Sequence, residues 1–188
     1  DSSQTETVDA SLELGSSQVS EIDGMVQIYI PAGEFGMGTN SGPGDERPLH
    51  TVYLDAMWVD QTEVTNAQYL LCVQAGICAA PEEESSNSRE FYYRNPTYAD
   101  YPMINISWDD AVNYCSWAGR RLLTEAEWEK AARGGLESKS YPRGDTSPVC
   151  HYKGGNGANF NDGIDCDYAD TEFVGSYLPN GYGLFDMA

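Results

Sequence analysis

Residues 102–134 carry two helix start signals, and this stretch constrains the fold more than any other part of the sequence. Ser107 stands immediately before Trp108-Asp109-Asp110. Its hydroxyl is placed to cap a first turn, and the aspartates sit where the positive end of a helix dipole favours them. Trp108, Ala111, Val112 and Cys115 follow at helical spacing, with Trp117 slightly off the stripe, and Gly119 is a natural stop. Thr124-Glu125-Ala126-Glu127 opens a second helix with a capping box, in which Thr124 and Glu127 satisfy each other's backbone donors. Trp128, Ala131 and Ala132 are expected on its buried face, and Gly134-Gly135 closes it. The short Gly119-Arg120-Arg121-Leu122 link makes the two a packed pair.

A third helix is predicted over residues 65–75, with Thr65 and Gln68 as its box and Tyr69, Leu70 and Val73 inward. Residues 25–30 show the mixed alternation of a strand. Val52 and Leu54 share one face of a short strand, and Met57-Trp58-Val59 begins another. Gly33-Glu34-Phe35-Gly36-Met37-Gly38 lacks the strand-to-helix context of a nucleotide loop, so phosphate binding is rejected. Residues 81–101 form a polar excursion dotted with Tyr92, Tyr93, Tyr98 and Tyr101, and residues 135–183 show little periodicity. Beyond residue 134 the chain thus reads as mostly irregular.

With 188 residues the chain is long enough for one domain with a real core. Ten Lys and Arg against 30 Asp and Glu give a formal charge of −20. That excludes a nucleic-acid groove, which needs a basic footprint. It suits cation binding, an acidic secreted surface, or solubility. No apolar run reaches membrane-spanning length. Residues 1–24 are polar and almost free of aromatics, and read as a disordered or extended arm, either a spacer or a segment that docks on a neighbouring subunit. Residues 25–188 are the expected domain. The chain starts at Asp1, as a mature secreted chain would after loss of a leader, and as an arbitrary boundary would too.

Cys72 and Cys78 flank a short link and suit a local disulfide at a helix end. Cys150 and Cys166 bracket a Gly/Asn/Asp-rich loop that a staple would order. Neither pair has zinc-site spacing. Cys115 reads as a buried small hydrophobe, or as half of a disulfide to a cysteine outside this sequence. Two staples point to an oxidising compartment: extracellular, cell surface or periplasmic. Asn156-Gly157-Ala158-Asn159-Phe160-Asn161-Asp162-Gly163, followed by Asp165, Asp167 and Tyr168, offers the hard oxygen donors that Ca²⁺ prefers. The plain alternative is a solvated cluster of Asn and Asp turns.

Other candidates are weaker. His50 and His151 have no partner in any motif and read as structural. Glu125, Glu127 and Glu129 look like a carboxylate cluster but are better explained by capping and the helix dipole. The sequon Asn105-Ile106-Ser107 falls at an apolar helix entry, which argues against glycosylation. The tyrosine-rich loop at 91–101 is either a cover for the core or a surface for a protein partner or self-assembly.

Several segments taken together resemble the formylglycine-generating enzyme, or sulfatase-modifying factor, family. They are Phe35-Gly36-Met37-Gly38, Asp45-Glu46-Arg47-Pro48 with His50, Glu63-Val64-Thr65-Asn66 with Tyr69, and Asn105 through Trp117. The match continues through Gly119-Arg120-Arg121-Leu122, Thr124 to Glu129, Ala131 to Gly134, Val174-Gly175-Ser176, Pro179-Asn180 and Tyr182 to Ala188. Leu123, Arg143 and Phe173 depart from the family pattern at packing and loop positions. The resemblance implies the fold class: α+β, a loop-rich mixed α/β domain of low regular secondary structure with the formylglycine-generating-enzyme fold, similar to C-type-lectin-like folds. It further implies a calcium site made by the Asn159 side chain, the Phe160 carbonyl, Asp165 or Asp167, and the Tyr168 carbonyl. Asp186 matches one ligand of a second site.

Family enzymes bind copper(I) through two cysteines in their C-terminal third, and they oxidise a substrate cysteine to formylglycine. Those cysteines are expected after Ala188, and Cys115 does not match them. In related sequences the cysteine at that position forms a disulfide with a later one. The sequence thus predicts a secreted, calcium-stabilised module acting non-catalytically as a surface, filament or binding component. The alternative is part of a copper-dependent oxidase whose cysteines lie beyond Ala188. A sensor domain of a kinase or signalling protein is a third reading, and it needs sequence beyond either end.

Overall fold

The computed structural model describes residues 12–150, 157–160 and 170–187. Three helices, α1 (Asn66–Gln74), α2 (Trp108–Trp117) and α3 (Glu125–Arg133), all begin with a full capping box. Thr65 pairs with Gln68, Ser107 with Asp110, and Thr124 with Glu127. Each box is built within four residues, so it forms wherever the helix packs. Gly134 ends α3 in the left-handed region, at φ 57°. A Cβ there would come within 2.8 Å of Asn180 and Gly181, so only glycine fits.

The strands are short. β1 (Ser17–Val19), β2 (Val26–Ile30) and β5 (Met57–Asp60) form an antiparallel sheet in the order β1-β2-β5. Ile28 lies opposite Ser17 on one side and Val59 on the other. β3 (Gly33–Met37) pairs antiparallel with β4 (His50–Leu54), and β6 (Val149–Cys150) pairs parallel with β7 (Gly157–Ala158). Two apolar clusters form the core. Ile28, Ile30 and Val59 of the sheet meet Ala131 of α3 and Leu184 of the C-terminal segment. Tyr69 and Cys72 of α1 meet Tyr114 and Ala118 around α2, with Cys78 and Tyr93. Cys72 and Cys78 are joined as a disulfide.

The boundary drawn at residue 24 needs correction. β1 falls inside the stretch read as an arm, and Asp23 is among the most buried polar residues. Its carboxylate accepts hydrogen bonds from the Tyr114 hydroxyl (2.6 Å) and Arg120 Nη1 (3.2 Å), and pairs with Arg120 Nη2. A polar composition hid this, because the segment contributes a strand edge and one buried ion rather than apolar side chains.

Two helix faces also differ from expectation. Trp128 is 52% exposed, whereas Lys130, at 4%, is buried with Ala131 and Ala132. Alanines let α3 approach the sheet closely, which an indole would prevent. The Lys130 ammonium donates to the carbonyls of Pro31 (3.1 Å) and Gly33 (3.0 Å), and burial pulls its pKa below the usual lysine value. Trp108 is 71% exposed and Tyr114 occupies the inner face of α2. Tyrosine succeeds there because its hydroxyl finds Asp23 while its ring stacks on Tyr69 at 5.6 Å.

The tyrosine-rich loop is cover for the core. Tyr92 and Tyr93 are buried, and Tyr92, Tyr98 and Tyr101 pack on one another at 5.3–6.3 Å. Of the large hydrophobic side chains in this loop, Phe91 projects widely, at 73% exposure. Tyr92 and Tyr93 are thus given to the core, and a partner surface on the outer side of this loop remains a proposal. Among the described residues no helix is long and apolar enough to cross a membrane.

Candidate functional site

The candidate calcium ligands that lie among the described residues, Asn159, Phe160 and Asp186, come from two irregular segments. Asn159 and Phe160 follow β7, which is registered against β6 through Cys150 and Ala158. Arg143 braces this strand by donating to the carbonyls of Gly157 (2.6 Å) and Leu178 (2.8 Å). Cys150 is disulfide-bonded. Cys166, Asp165, Asp167, Tyr168 and His151 lie outside the described residues.

Asn159 is oriented from outside its own loop. Its Nδ2 donates to the Asp170 carbonyl at 2.8 Å, which leaves Oδ1 as the atom a hard cation would meet. Asp170 is itself fixed. Its carboxylate accepts from Ser86 Oγ (2.9 Å), the Ser88 N–H (2.9 Å), the Ser88 hydroxyl and the Thr171 N–H (2.8 Å). It also pairs with Arg89 at 3.0 Å. Burial pushes the Asp170 pKa up, but these hydrogen bonds outweigh it and hold the carboxyl below the usual range. Arg89 in turn lies over the rings of Tyr98 and Tyr101, 5.0 Å from each centroid. The excursion at 81–101 thereby anchors the end of the candidate calcium loop. No local motif announces this anchor, since Arg89 and Asp170 are far apart in sequence.

Asp186 is at φ 54°, in the left-handed region, and its Oδ2 accepts the Gly175 N–H at 2.6 Å. Glu63 lines the same cleft, close enough for the Asp186 charge to act on it. Desolvation, and then the Asp186 charge, push the Glu63 carboxyl up to about 7, although the residue as a whole is exposed. Asn159, Glu63 and Asp186 all border one cleft of about 250 Å³. The oxygen donors at Asn159 and Phe160 fit calcium chemistry, which mixes amide and carbonyl oxygens with carboxylates. Copper(I) does not fit the described residues. Among them Cys115 is the one free thiol, and burial pushes its pKa up, away from the thiolate that copper needs. Among the described residues no three metal-ligating side chains cluster.

The remaining candidates have structural roles. Glu127 caps α3 and pairs with Arg121 at 2.7 Å, which holds its carboxyl at about 2. Glu129 accepts the Gly38 N–H (2.8 Å) and pairs with Arg133. His50 Nδ1 lies 2.9 Å from the Pro48 carbonyl on the surface. The Asn105 amide donates to the carbonyls of Glu83 (3.3 Å) and Ser85 (2.8 Å).

A model of the sulfatase-modifying factor enzyme 1-like domain matches residues 12–188. The chain belongs to this family. The match begins where the structure first describes the chain, ahead of β1. The formylglycine-generating enzyme of Streptomyces coelicolor is 34% identical over 206 residues, covering 86% of this chain and 65% of its own length. The serine/threonine-protein kinase pkn1 of Chlamydia pneumoniae is 35% identical over 174 residues, 86% of this chain but 26% of that protein. The chain thus spans less than two thirds of these relatives. Among solved structures, PvdO from Pseudomonas aeruginosa superposes with a TM-score of 0.63 at 24% identity, over 94% of this chain and 72% of that one. Treponema denticola variable protein 1 gives 0.62 at 20%, over 92% and 73%. These two share the fold of the sulfatase-modifying factor domain with this chain, which is the mixed, loop-rich architecture described above.

Proposed function

We propose that this sulfatase-modifying factor domain is a secreted, calcium-stabilised module that works by binding rather than by catalysis. The observation that carries the reading is the Asn159 amide, fixed by Asp170 so that its oxygen is left for a hard cation. An acidic surface of net charge −20 and the Cys72–Cys78 disulfide support an extracellular setting. Similar sequence occurs in proteins as different as a formylglycine-generating enzyme and a protein kinase, so the scaffold alone carries no activity.

A second reading, part of a copper-dependent oxidase that makes formylglycine, is favoured by the 33–34% identity to formylglycine-generating enzymes of Streptomyces coelicolor and Bos taurus. The two readings separate in one assay. The full product of the gene is incubated with copper(I), dioxygen and a Cys-x-Pro-x-Arg peptide. The binding-module reading expects no aldehyde by mass spectrometry. Stoichiometric loss of the peptide thiol to formylglycine would replace it with the oxidase reading.

A further inference from the structure

Residues 170–174 run between the candidate calcium loop and the excursion at 81–101, and Asp170 is bonded to both. Its carbonyl accepts the Asn159 Nδ2 at 2.8 Å. Its carboxylate, in a side chain that is 5% exposed, takes Ser86 Oγ, the Ser88 N–H and hydroxyl, and Arg89 Nη1. The neighbours of Asp170 extend the same seam. Arg89 Nη1 also donates to Thr171 Oγ1 at 3.0 Å, and the Val174 N–H donates to the Asp100 carbonyl at 3.0 Å. The Phe173 ring lies 6.3 Å from that of Tyr101. A buried carboxylate is costly without its donors. Asp170 therefore keeps its place only while the excursion presents Ser86, Ser88 and Arg89 to it.

Resting on the calcium reading of Asn159, we propose that Asp170 is the positioning residue of that site and couples calcium affinity to the docking of residues 81–101. When the excursion lifts, the Asp170 carboxylate turns to water for its hydrogen bonds, and the Asp170 carbonyl leaves Asn159. The freed amide then turns, and its Nδ2, a donor, competes for the position where a cation needs Oδ1. Docking of the excursion holds the amide the right way round and removes that loss. A coupling free energy is reciprocal, so calcium held through Asn159 tightens the docking of the excursion by the same factor. Asp170 touches no cation in this account. It acts through the Asn159 amide alone, and this separates it from the ligands.

The full gene product is stripped with EGTA, desalted and titrated with calcium chloride by calorimetry. Hydrogen exchange of peptides spanning 81–101 is followed by mass spectrometry, with calcium and with EGTA. Asp170→Asn should weaken calcium binding by roughly tenfold, the lower end for a residue that orients a metal ligand. In the wild type, calcium should slow exchange across 81–101 by about the same factor, the Ser88 amide that donates to Asp170 included. Asp170→Asn should abolish that slowing. Combined with Asn159→Ala it should add no further loss of affinity, because the two act as one unit. Ser88→Ala, at an exposed position, removes one donor and leaves Ser86, Arg89 and Thr171 in place. It should fold normally and weaken calcium binding by about threefold. Equal calcium affinity in the wild type and both variants would overturn the coupling and leave the calcium site standing. So would additive losses in the double variant, or exchange at 81–101 that ignores calcium. A lower melting temperature in Asp170→Asn with an unchanged calcium Kd would make Asp170 a structural brace only. A wild type that gives no heat with calcium would remove the site and the coupling together.

Discussion

Replacing Asp23 by alanine is expected to cost about 3–5 kcal/mol, the range for breaking a buried ion pair by removing one partner. Asp23 is 6% exposed and holds Arg120, the Tyr114 hydroxyl and the Met25 N–H, the last at 3.2 Å. Its loss would leave the Tyr114 hydroxyl unpaired and Arg120 with only Asp60, at 3.2 Å. Urea unfolding should show a lower midpoint with an unchanged slope. A loss below about 1 kcal/mol would place the pair in the class of solvent-exposed salt bridges instead.

The same site fixes a pH dependence. Burial pushes the Asp23 pKa up, but hydrogen bonds from Arg120, Ser20, Tyr114 and Met25 outweigh it and hold the carboxyl far below the usual value of 3.8. A depressed carboxylate contributes its full stability above its unfolded pKa and loses it as pH falls through the folded one. Wild-type stability should therefore fall steeply on acidification below about pH 4, and the Asp23→Asn variant should show a shallower fall. Asp60 works in the opposite direction, because burial raises its pKa despite Arg120. Its contribution weakens stability as pH rises above its ordinary range, outside the acid window; Glu127 and Asp170 titrate within that window too, so the difference between wild type and Asp23→Asn there reports Asp23.

Leu184→Ala is expected to cost about 2–5 kcal/mol, the range for a large-to-small change at a packed site. Leu184 lies in a segment without regular structure, yet it is 1% exposed and packs with Ile28, Ile30, Val59 and Ala131. Asn180 explains how a loop reaches the sheet core. Its Nδ2 donates to the Ala131 (2.7 Å) and Ala132 (3.2 Å) carbonyls at the end of α3. Its Oδ1 accepts from the N–H groups of Tyr182 (2.9 Å) and Leu184 (3.3 Å). One side chain thus satisfies the end of a helix and sets the path of the segment that carries Leu184. A cost under about 1 kcal/mol would mean that the C-terminal segment is an appendage rather than part of the core.

What the sequence disclosed follows the range of each interaction. Helix starts were readable because Thr65–Gln68 and Thr124–Glu127 are complete within four residues. The strand at Val26–Ile30 was readable from its alternation. Helix faces were less so, because Trp128 and Trp108 have the right spacing for a core but the wrong neighbours, while Lys130 found two carbonyls across the interface. Asp23 with Arg120 and Arg89 with Asp170 were invisible, since each pair joins residues far apart in the sequence. The candidate calcium loop was legible from its oxygen donors and its individual ligands from the family pattern, whereas their fixing point at Asp170 was legible only through the structure. Glu63 belongs to a segment of the family pattern that marks no site, and only the fold brings it to the cleft that Asn159 borders.

Calcium binding to the full gene product tests the central reading most directly. After EGTA treatment and desalting, calorimetric titration with calcium chloride should reveal a saturable site. At 100 times Kd, calcium should stabilise the fold by about 2.7 kcal/mol, which for a domain of this size raises the melting temperature by roughly 5–10 °C. Asn159→Ala should weaken the site at least about tenfold, the equivalent of losing one ligand worth 1.4 kcal/mol. A wild-type protein that gives no heat and the same melting temperature with calcium and with EGTA would contradict a calcium-stabilised module.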